Sequence, residues 1–430
     1  FVQDFIKHLR EGREVPDDEE DRLYEQIDKL FDLQNYPFTA LELSQGVNEE
    51  QVADVFVRIN SQGTTLNQAD FILTLMSVFW DEGRAQLEGF CRQARTPSVG
   101  AGSPFNHLVR PDPDQLLRAG VAVGFRRARL QHAYNILRGK DLDTGEFSED
   151  RRDQQFQTLR RAQADTLDLQ HWQDFLKTLV RAGYRQKAMI TSELSVFYTY
   201  AMYLIGKRDF GVEEHALRSA IARWYFMVAL TSRYTSSPES RMEEDLARLR
   251  EVGSADEFVQ LLDGLVEAAL PEDYWTVTLP AELETSAART PVLFSYYAAL
   301  NLLDARVLFS KLKVSELLEP GVAAMKSAIE RHHLFPKGYL KTIGLEEIRD
   351  TNQLANFALV EWSDNVSVSD RPPSDYYPEY AQRYAEEELA QMRYWHALPD
   401  GWETMEYPDF LAARRLAMAQ VIHDGFEKLR

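Results

Sequence analysis

The sequence predicts a mainly α-helical protein of two or three domains that closes on a small mixed α/β unit. Three observations predict it. The chain has 430 residues, too many for one core at the ~150 residues of a usual domain. Between about 114 and 310 apolar side chains recur at helical spacing almost without interruption. After Pro320 the texture changes to short alternating runs bounded by proline, the pattern of strands.

The elements follow in order. Leu23, Ile27, Leu30 and Phe31 mark one side of an early helix that Pro37 ends, and 38–43 reads as a short strand. Asn48 caps a second helix carrying Val52, Val55, Phe56 and Ile59 at i, i+3, i+4, i+7. Gly63 closes the turn Asn60-Ser61-Gln62-Gly63, and Asn67 starts an apolar helix around 71–80. The loop 96–104, rich in Pro, Gly and Ser, is the predicted first boundary. Leu217, Ile221, Trp224 and Val228 make one buried stripe, and Ser237-Pro238-Glu239 starts a helix with proline in its first turn. The aromatic run 197–203 reads as core rather than as a base-stacking platform, and no repeat occurs at solenoid spacing. Near the end, 328–335 is predicted as a strand stopped by Pro336, 357–362 as a second strand, and 411–429 as a closing amphipathic helix.

Composition narrows the function classes. Hydrophobic residues are 44% and charged residues 27%, and 21 Gly with 17 Pro are too few for collagen-like or Pro/Gly-rich disorder. The longest apolar run, 71–80, has ten residues, half of what a spanning helix needs. One cysteine, Cys91, excludes a disulfide framework and a zinc site built from several thiolates, which fits a reducing cytosol. The chain opens on Phe1, so the expectation is of sequence upstream of it.

A formal charge of −20 argues against indiscriminate nucleic-acid binding, because the mean field repels phosphate. The distribution is uneven. Residues 1–50 hold 14 acids against 5 bases. Residues 105–140 instead hold Arg110, Arg118, Arg126, Arg127, Arg129, Arg138 and Lys140 against Asp112 and Asp114. Residues 306–341 hold seven bases against three glutamates. Each basic stretch reads either as a phosphate-binding surface or as a solvated helix face.

The stretch that could do chemistry is 330–365. It contains His332-His333, then Pro336 and Lys337, then Asn356, and Asn365 nine residues further on. Neutral imidazole is both a general base near neutral pH and a metal ligand. An amide oxygen suits a hard cation such as Mg²⁺ or Mn²⁺. By itself a His-His pair reads as surface or capping histidines rather than as a site, and two adjacent residues on a flat strand face opposite ways. A strand end or bend at Pro336 would relieve that conflict.

The run R-H-H-L-F-P-K, followed by N-Q-L-A-N-F-A-L-V and S-D-N, resembles the HNH (ββα-metal) nuclease motif in the C-terminal half of GmrSD-type modification-dependent restriction enzymes. The resemblance implies a metal-dependent DNA endonuclease of a restriction or anti-phage system. By position, His333 would be the general base and His332 a metal ligand. Asn356 would hold the loop bearing His333, and Asn365 would be the second protein ligand. One Mg²⁺ or Mn²⁺ would be the cofactor. Asn352 competes with Asn356 for the structural role, and spacing favours Asn356. Lys337, Arg126, Arg127 and Arg129 would contact DNA phosphates.

A second resemblance covers roughly 1–100. V-F-V-R-I-N-S-Q-G-T-T-L is similar to the end of the ParB/sulfiredoxin-like NTPase domain of the same enzymes, and Phe56 and Asn60 match its F-x-x-x-N element near the nucleotide pocket. The D-G-Q-Q-R string on which that pocket depends does not occur in these 430 residues, so GTP or another NTP is expected as a ligand of the full-length protein. A weaker echo, R-Y-T-S-S-P-E-S at 233–240, is similar to the family's helical domain. The implied layout is an NTPase-like part at 1–100, a helical domain at 101–305 and an HNH domain at 306–430. The implied partners are DNA, modified or not, and a nucleotide, with no membrane, a cytoplasmic location and a homo-oligomer as an option. The alternative is a non-catalytic DNA- or partner-binding sensor or scaffold.

Overall fold

The computed structural model describes residues 2–13, 16–37, 68–141, 144–287, 289–319, 330–361 and 369–430, with a few isolated positions between 38 and 67. The chain divides into two compact units, Phe1–Gly63 and Thr64–Arg430. In the first, α1 (Val2–Gly12) precedes α2 (Asp17–Asp32). Four carboxylates, Asp17, Asp18, Glu19 and Glu20, fill the first turn of α2, where they face the positive end of the helix dipole. A 3-10 turn, Leu33–Asn35, ends the segment before Pro37. No side chain of α2 is buried, and Leu30 and Phe31 on its predicted apolar side are exposed. The predicted strand at 38–43, the Asn48-capped helix, the turn at 60–63, and with them Phe56 and Asn60, lie outside the described residues.

The second unit is mainly helical. Its first part runs through α3 (Gln68–Phe79), α4 (Asp81–Gln93), α5 (Pro113–Phe125), α6 (Leu130–Leu137), α7 (Glu149–Thr166), α8 (Leu169–Arg181), α9 (Glu193–Arg208), α10 (Glu214–Leu230), α11 (Pro238–Arg248), α12 (Ala255–Ala269) and α13 (Pro291–Leu302). Aromatic packing organises this core. Trp172 on α8 stacks on Phe197 and meets Tyr200 and Phe90 edge-on, at 6.0, 5.2 and 5.9 Å between ring centres. The run 197–203 is wholly buried on α9, and Leu217, Ile221, Trp224 and Val228 are buried on α10. α11 starts at Pro238, as its sequence spells.

The loop 96–104 is anchored rather than a linker. Trp172 Nε1 donates to the Pro104 carbonyl at 3.0 Å and Gln173 Nε2 to that of Ser103 at 3.0 Å. Its composition suits a linker and an anchored loop equally; hydrogen bonding decides. The second predicted line, near 305, also falls inside this unit. The reason is the closing helix α17 (Tyr407–Glu427), which returns to the central helices. Gly425 lies so close to α13 that an added Cβ would meet the Cβ of Ala299 at 2.5 Å, and Phe426 packs on Phe226 and Trp275 at 5.5 and 5.6 Å.

Between α13 and α17 lies a two-stranded antiparallel ribbon, β1 (Glu330–His333) and β2 (Phe357–Val360), in the register Glu330↔Val360 to His333↔Phe357. Leu308 extends it beside Val360, its N–H bonded to the Leu359 carbonyl at 3.0 Å. Both strands end earlier than predicted, at His333 and Val360. β1 stops at His333 because the next backbone groups leave the ladder for Asn356, and Pro336 begins α14 (Lys337–Thr342). Two further helices, α15 (Pro373–Ala381) and α16 (Glu386–Trp395), lead to α17. Among the described residues no helix is long and apolar enough to cross a membrane.

Candidate active site at the two-stranded ribbon

The two histidines occupy adjacent positions on β1 and have different surroundings. His332 is buried at 3% exposure, with its ring edge-on to Tyr376 of α15 at 6.0 Å. His333 is half-buried, its ring 4.5 Å from that of its cross-strand partner Phe357. The strand persists through both residues, so alternation turns them to opposite faces. The bend that would have relieved the conflict comes after His333, at Leu334.

His333 Nε2 lies 3.0 Å from Oδ1 of Asn352. An amide oxygen only accepts, so this contact is a hydrogen bond in the ring forms that carry a proton on Nε2. Asn352 follows the helical turn Ile348–Thr351, with its own N–H bonded to the Ile348 carbonyl at 2.9 Å. Its place is beside the histidine, whereas Asn356 works on backbone.

Asn356 is fully buried. Its Oδ1 accepts from the N–H of Phe335 at 2.8 Å, and its Nδ2 donates to the carbonyls of Phe335 at 3.0 Å and Thr351 at 3.1 Å. The N–H of Leu334 also donates to the Asn356 carbonyl at 2.8 Å. One side chain thus fixes the exit of β1 to the entry of β2. Tyr376 adds a bond from its hydroxyl to the Leu334 carbonyl at 2.7 Å.

Behind this clamp stands Arg414, a residue that sequence reasoning passed over. It projects from α17, is fully buried, and has no carboxylate partner among the described residues. Its Nη1 donates to the carbonyl of Ala355 at 2.6 Å, and its Nε and Nη2 to that of His396 at 3.2 and 3.1 Å. His396 follows the last residue of α16, so the cation sits at the negative end of that helix. Burial pulls the Arg414 pKa down. A signal existed: Arg414 lies four residues after Phe410 and four before Met418, both buried, on the apolar stripe of the predicted closing helix.

His396 is fully buried, with Nε2 2.9 Å from the Arg306 carbonyl. Burial, with Arg414 nearby, pushes its pKa down to about 4. The folded state therefore binds this proton less readily than the unfolded chain, at about 6.5. The contribution is intact above pH 6.5 and is lost as pH falls from there through about 4, at most about 3 kcal/mol. Denaturation midpoints measured from pH 7.5 to 4 should fall across that window, and His396→Gln should flatten the fall. An equally steep fall in the variant would clear His396 of the effect.

The predicted phosphate contacts at 105–140 are engaged within the protein. Arg126 pairs with Asp209, and its guanidinium also bonds the carbonyls of Ala122 and Val123. Arg127 pairs with Glu243 at 2.6 Å, Arg118 with Glu239, and Arg129 Nη2 donates to Ser240 at 3.3 Å. Glu239 and Glu243 of α11, with Asp209, thus answer three arginines of the stretch, and a phosphate would have to displace a carboxylate at two of the three positions. Neutralising Arg126, Arg127 and Arg129 together should change the slope of log affinity against log salt on duplex DNA by less than about one phosphate contact, ~0.9. A change near three contacts would restore this surface to DNA binding. Around the ribbon, Arg306 pairs with Glu388 at 3.2 Å and Lys313 with Asp304 at 2.7 Å, while Lys337 stands exposed at the start of α14.

Asn365 lies outside the described residues. Among the described residues no three His, Cys, Asp or Glu side chains gather where they could hold a metal ion. No protein-family model matches the chain, and no curated protein matches it.

Proposed function

We propose that the chain is a metal-dependent endonuclease of the HNH type that cuts DNA in a restriction or anti-phage system, gated by nucleotide and by DNA modification. The observation that carries the proposal is the clamp of Asn356 on the backbone just after His333, in a ribbon backed by α15. A histidine at a strand end, an asparagine strapping its loop and a helix whose Tyr376 packs against β1 suit the ββα-metal arrangement that the motif resembles. His333 is the base of the proposal: its neutral ring takes a proton from the water that attacks phosphorus. Lys337 is the cation offered to phosphate.

The described residues do not by themselves make a metal site. His332 turns away from His333, and Asn365 lies outside the described residues. The requirement for Mg²⁺ or Mn²⁺ rests on the resemblance, and the chemistry above runs through the chain's own groups. The NTPase-like reading of the N-terminal part, with Phe56 and Asn60 at a nucleotide, rests on resemblance in the same way.

Supercoiled plasmid incubated with the protein should pass to the open-circular or linear form with Mg²⁺ or Mn²⁺ and stay supercoiled with EDTA. Plasmid left intact under both ions would overturn the nuclease. Retarded mobility of that intact plasmid would then favour the sensor or scaffold.

A further inference from the structure

We propose that a pocket between α17 and the turn after α12 binds a guanidinium carried on an alkyl stem. The pocket has a volume of about 200 Å³ and is open to solvent on one side. Leu416, Ala419, Gln420 and His423 line it from one face of α17, at i, i+3, i+4 and i+7. Facing them is a π-helical turn, Tyr274–Thr278, closed by a bond from the Leu279 N–H to the Tyr274 carbonyl. Pro280 has no N–H to return to the Thr276 carbonyl, so the α-helical pattern cannot run through it and the turn widens. Glu272, Trp275 and Thr276 reach the pocket from this segment. Turns of this kind are rare and gather at functional sites.

The lining selects its ligand by the groups it leaves free. Its Trp, Thr and Gln donors already have partners. Trp275 Nε1 donates to the Leu270 carbonyl at 3.1 Å, the Thr276 hydroxyl to the Glu272 carbonyl at 3.0 Å, and Gln420 Nε2 to Asp424 at 2.8 Å. Acceptors remain. The Glu272 carboxylate is exposed and has no partner among the described residues, the Thr276 oxygen keeps its lone pairs, and Gln420 keeps Oε1. The surrounding charge is negative. Glu427 lies 3.6 Å from His423 Nε2, Asp424 adjoins Gln420, and the neighbouring Arg415 is held by Glu284 at 3.4 Å. Several acceptors with one free carboxylate suit a cation bearing several N–H donors. A guanidinium holds five in one plane, whereas an ammonium is a compact, strongly hydrated point charge. Trp275 and Ala419, the buried members of the lining, form the floor, and the His423 ring lies 4.7 Å from that of Trp275. Leu416 is 57% exposed at the rim, where it can cover an alkyl stem. No group of the ribbon enters this pocket, so its occupant does not depend on the nuclease reading.

The test uses the full chain labelled with ¹⁵N-tryptophan and n-butylguanidinium as the probe. Trp275 is identified among the seven tryptophans by the indole signal missing from Trp275→Phe. The probe should move that signal saturably, with a Kd of about 1 mM or tighter for so small a ligand. No saturable shift at about ten times that concentration, or equal shifts in all the indoles, would overturn the site. Glu272→Gln should weaken binding about 10-fold or more, because a charge-assisted bond becomes a neutral one. Glu272 is exposed and unpartnered, so this variant keeps the fold, and calorimetry on it needs no signal assignment. Unchanged affinity in Glu272→Gln would remove the carboxylate from the site and overturn the proposal. n-Butylammonium should bind several-fold more weakly, and equal affinity would overturn the choice of guanidinium. Arginine blocked at both its amino and carboxyl groups separates the two sources. Binding as tight as the probe's assigns the pocket to an arginine side chain of a partner protein, and loss of binding assigns it to a free alkylguanidine.

Discussion

Arg414→Met should lower the stability of the second unit by about 3–5 kcal/mol, one of the largest single-site losses open to this chain. The usual argument for replacing a buried charge by an apolar side chain does not transfer. Where a buried ion pair is exchanged for hydrophobic residues, both charges leave together and the exchange is often neutral. Here the partners are the backbone carbonyls of Ala355 and His396, and they stay behind. Each buried carbonyl stripped of its donor costs about 1–3 kcal/mol, and bonds to a charged donor are the stronger kind. The thioether fills most of the volume, so the loss reports unsatisfied oxygen rather than a cavity. Arg414→Lys keeps the charge but offers a point donor where a planar fork serves two carbonyls, and should lie between. Chemical denaturation of the three proteins checks the order, and a loss below about 1 kcal/mol in the Met variant would show that water takes over the carbonyls. Because Ala355 adjoins Asn356, the same substitution should loosen the clamp on β1.

What the sequence disclosed, and what it hid, follows from the reach of each interaction. The helical character of 114–310, the aromatic core at 197–203 and the proline-started helix at 238 were legible because helix periodicity and capping are local. The ribbon was legible in its two strands but not in where they end, since β1 ends where its backbone turns to Asn356, 21 residues beyond Phe335. The basic stretch misled for the same reason. Arg127 meets Glu243 across 116 residues, and nothing near 127 announces that partner. The boundary expected near 100 rested on loop composition and the one near 305 on a change of texture and on the resemblance, and neither signal can show that Trp172 bonds the loop or that Phe426 returns to Phe226. Asn356 could be picked by spacing alone, and its three bonds to backbone give that position a physical occupation. Asn352, weighed for the same post, instead touches the ring of His333. Arg414 was within reach of the helix pattern, because a charge on an apolar stripe must be answered inside the core.

His333→Ala should abolish metal-dependent nicking while moving the thermal transition by no more than a few degrees. A general base contributes about 10²–10⁴ in rate, so a plasmid converted by the wild type in minutes would remain supercoiled for hours or longer. The fold should tolerate the change because the ring is half-buried, lies beside the Phe357 ring and bonds a side-chain amide that is itself only half-buried. Neither neighbour is left as a buried unpaired group of the core. Asn356→Ala supplies the contrast. It removes three hydrogen bonds from a fully buried position, leaving backbone N–H and C=O groups of Phe335 and Thr351 without that partner, each at about 1–3 kcal/mol. Its activity should fall with its stability, whereas His333→Ala should separate the two. Nicking by His333→Ala at the wild-type rate would remove His333 as the base and leave His332, on the buried face against Tyr376, as the remaining imidazole of the ribbon. A collapse of stability in His333→Ala would instead assign the ring to the core and make its conservation of geometry a matter of packing.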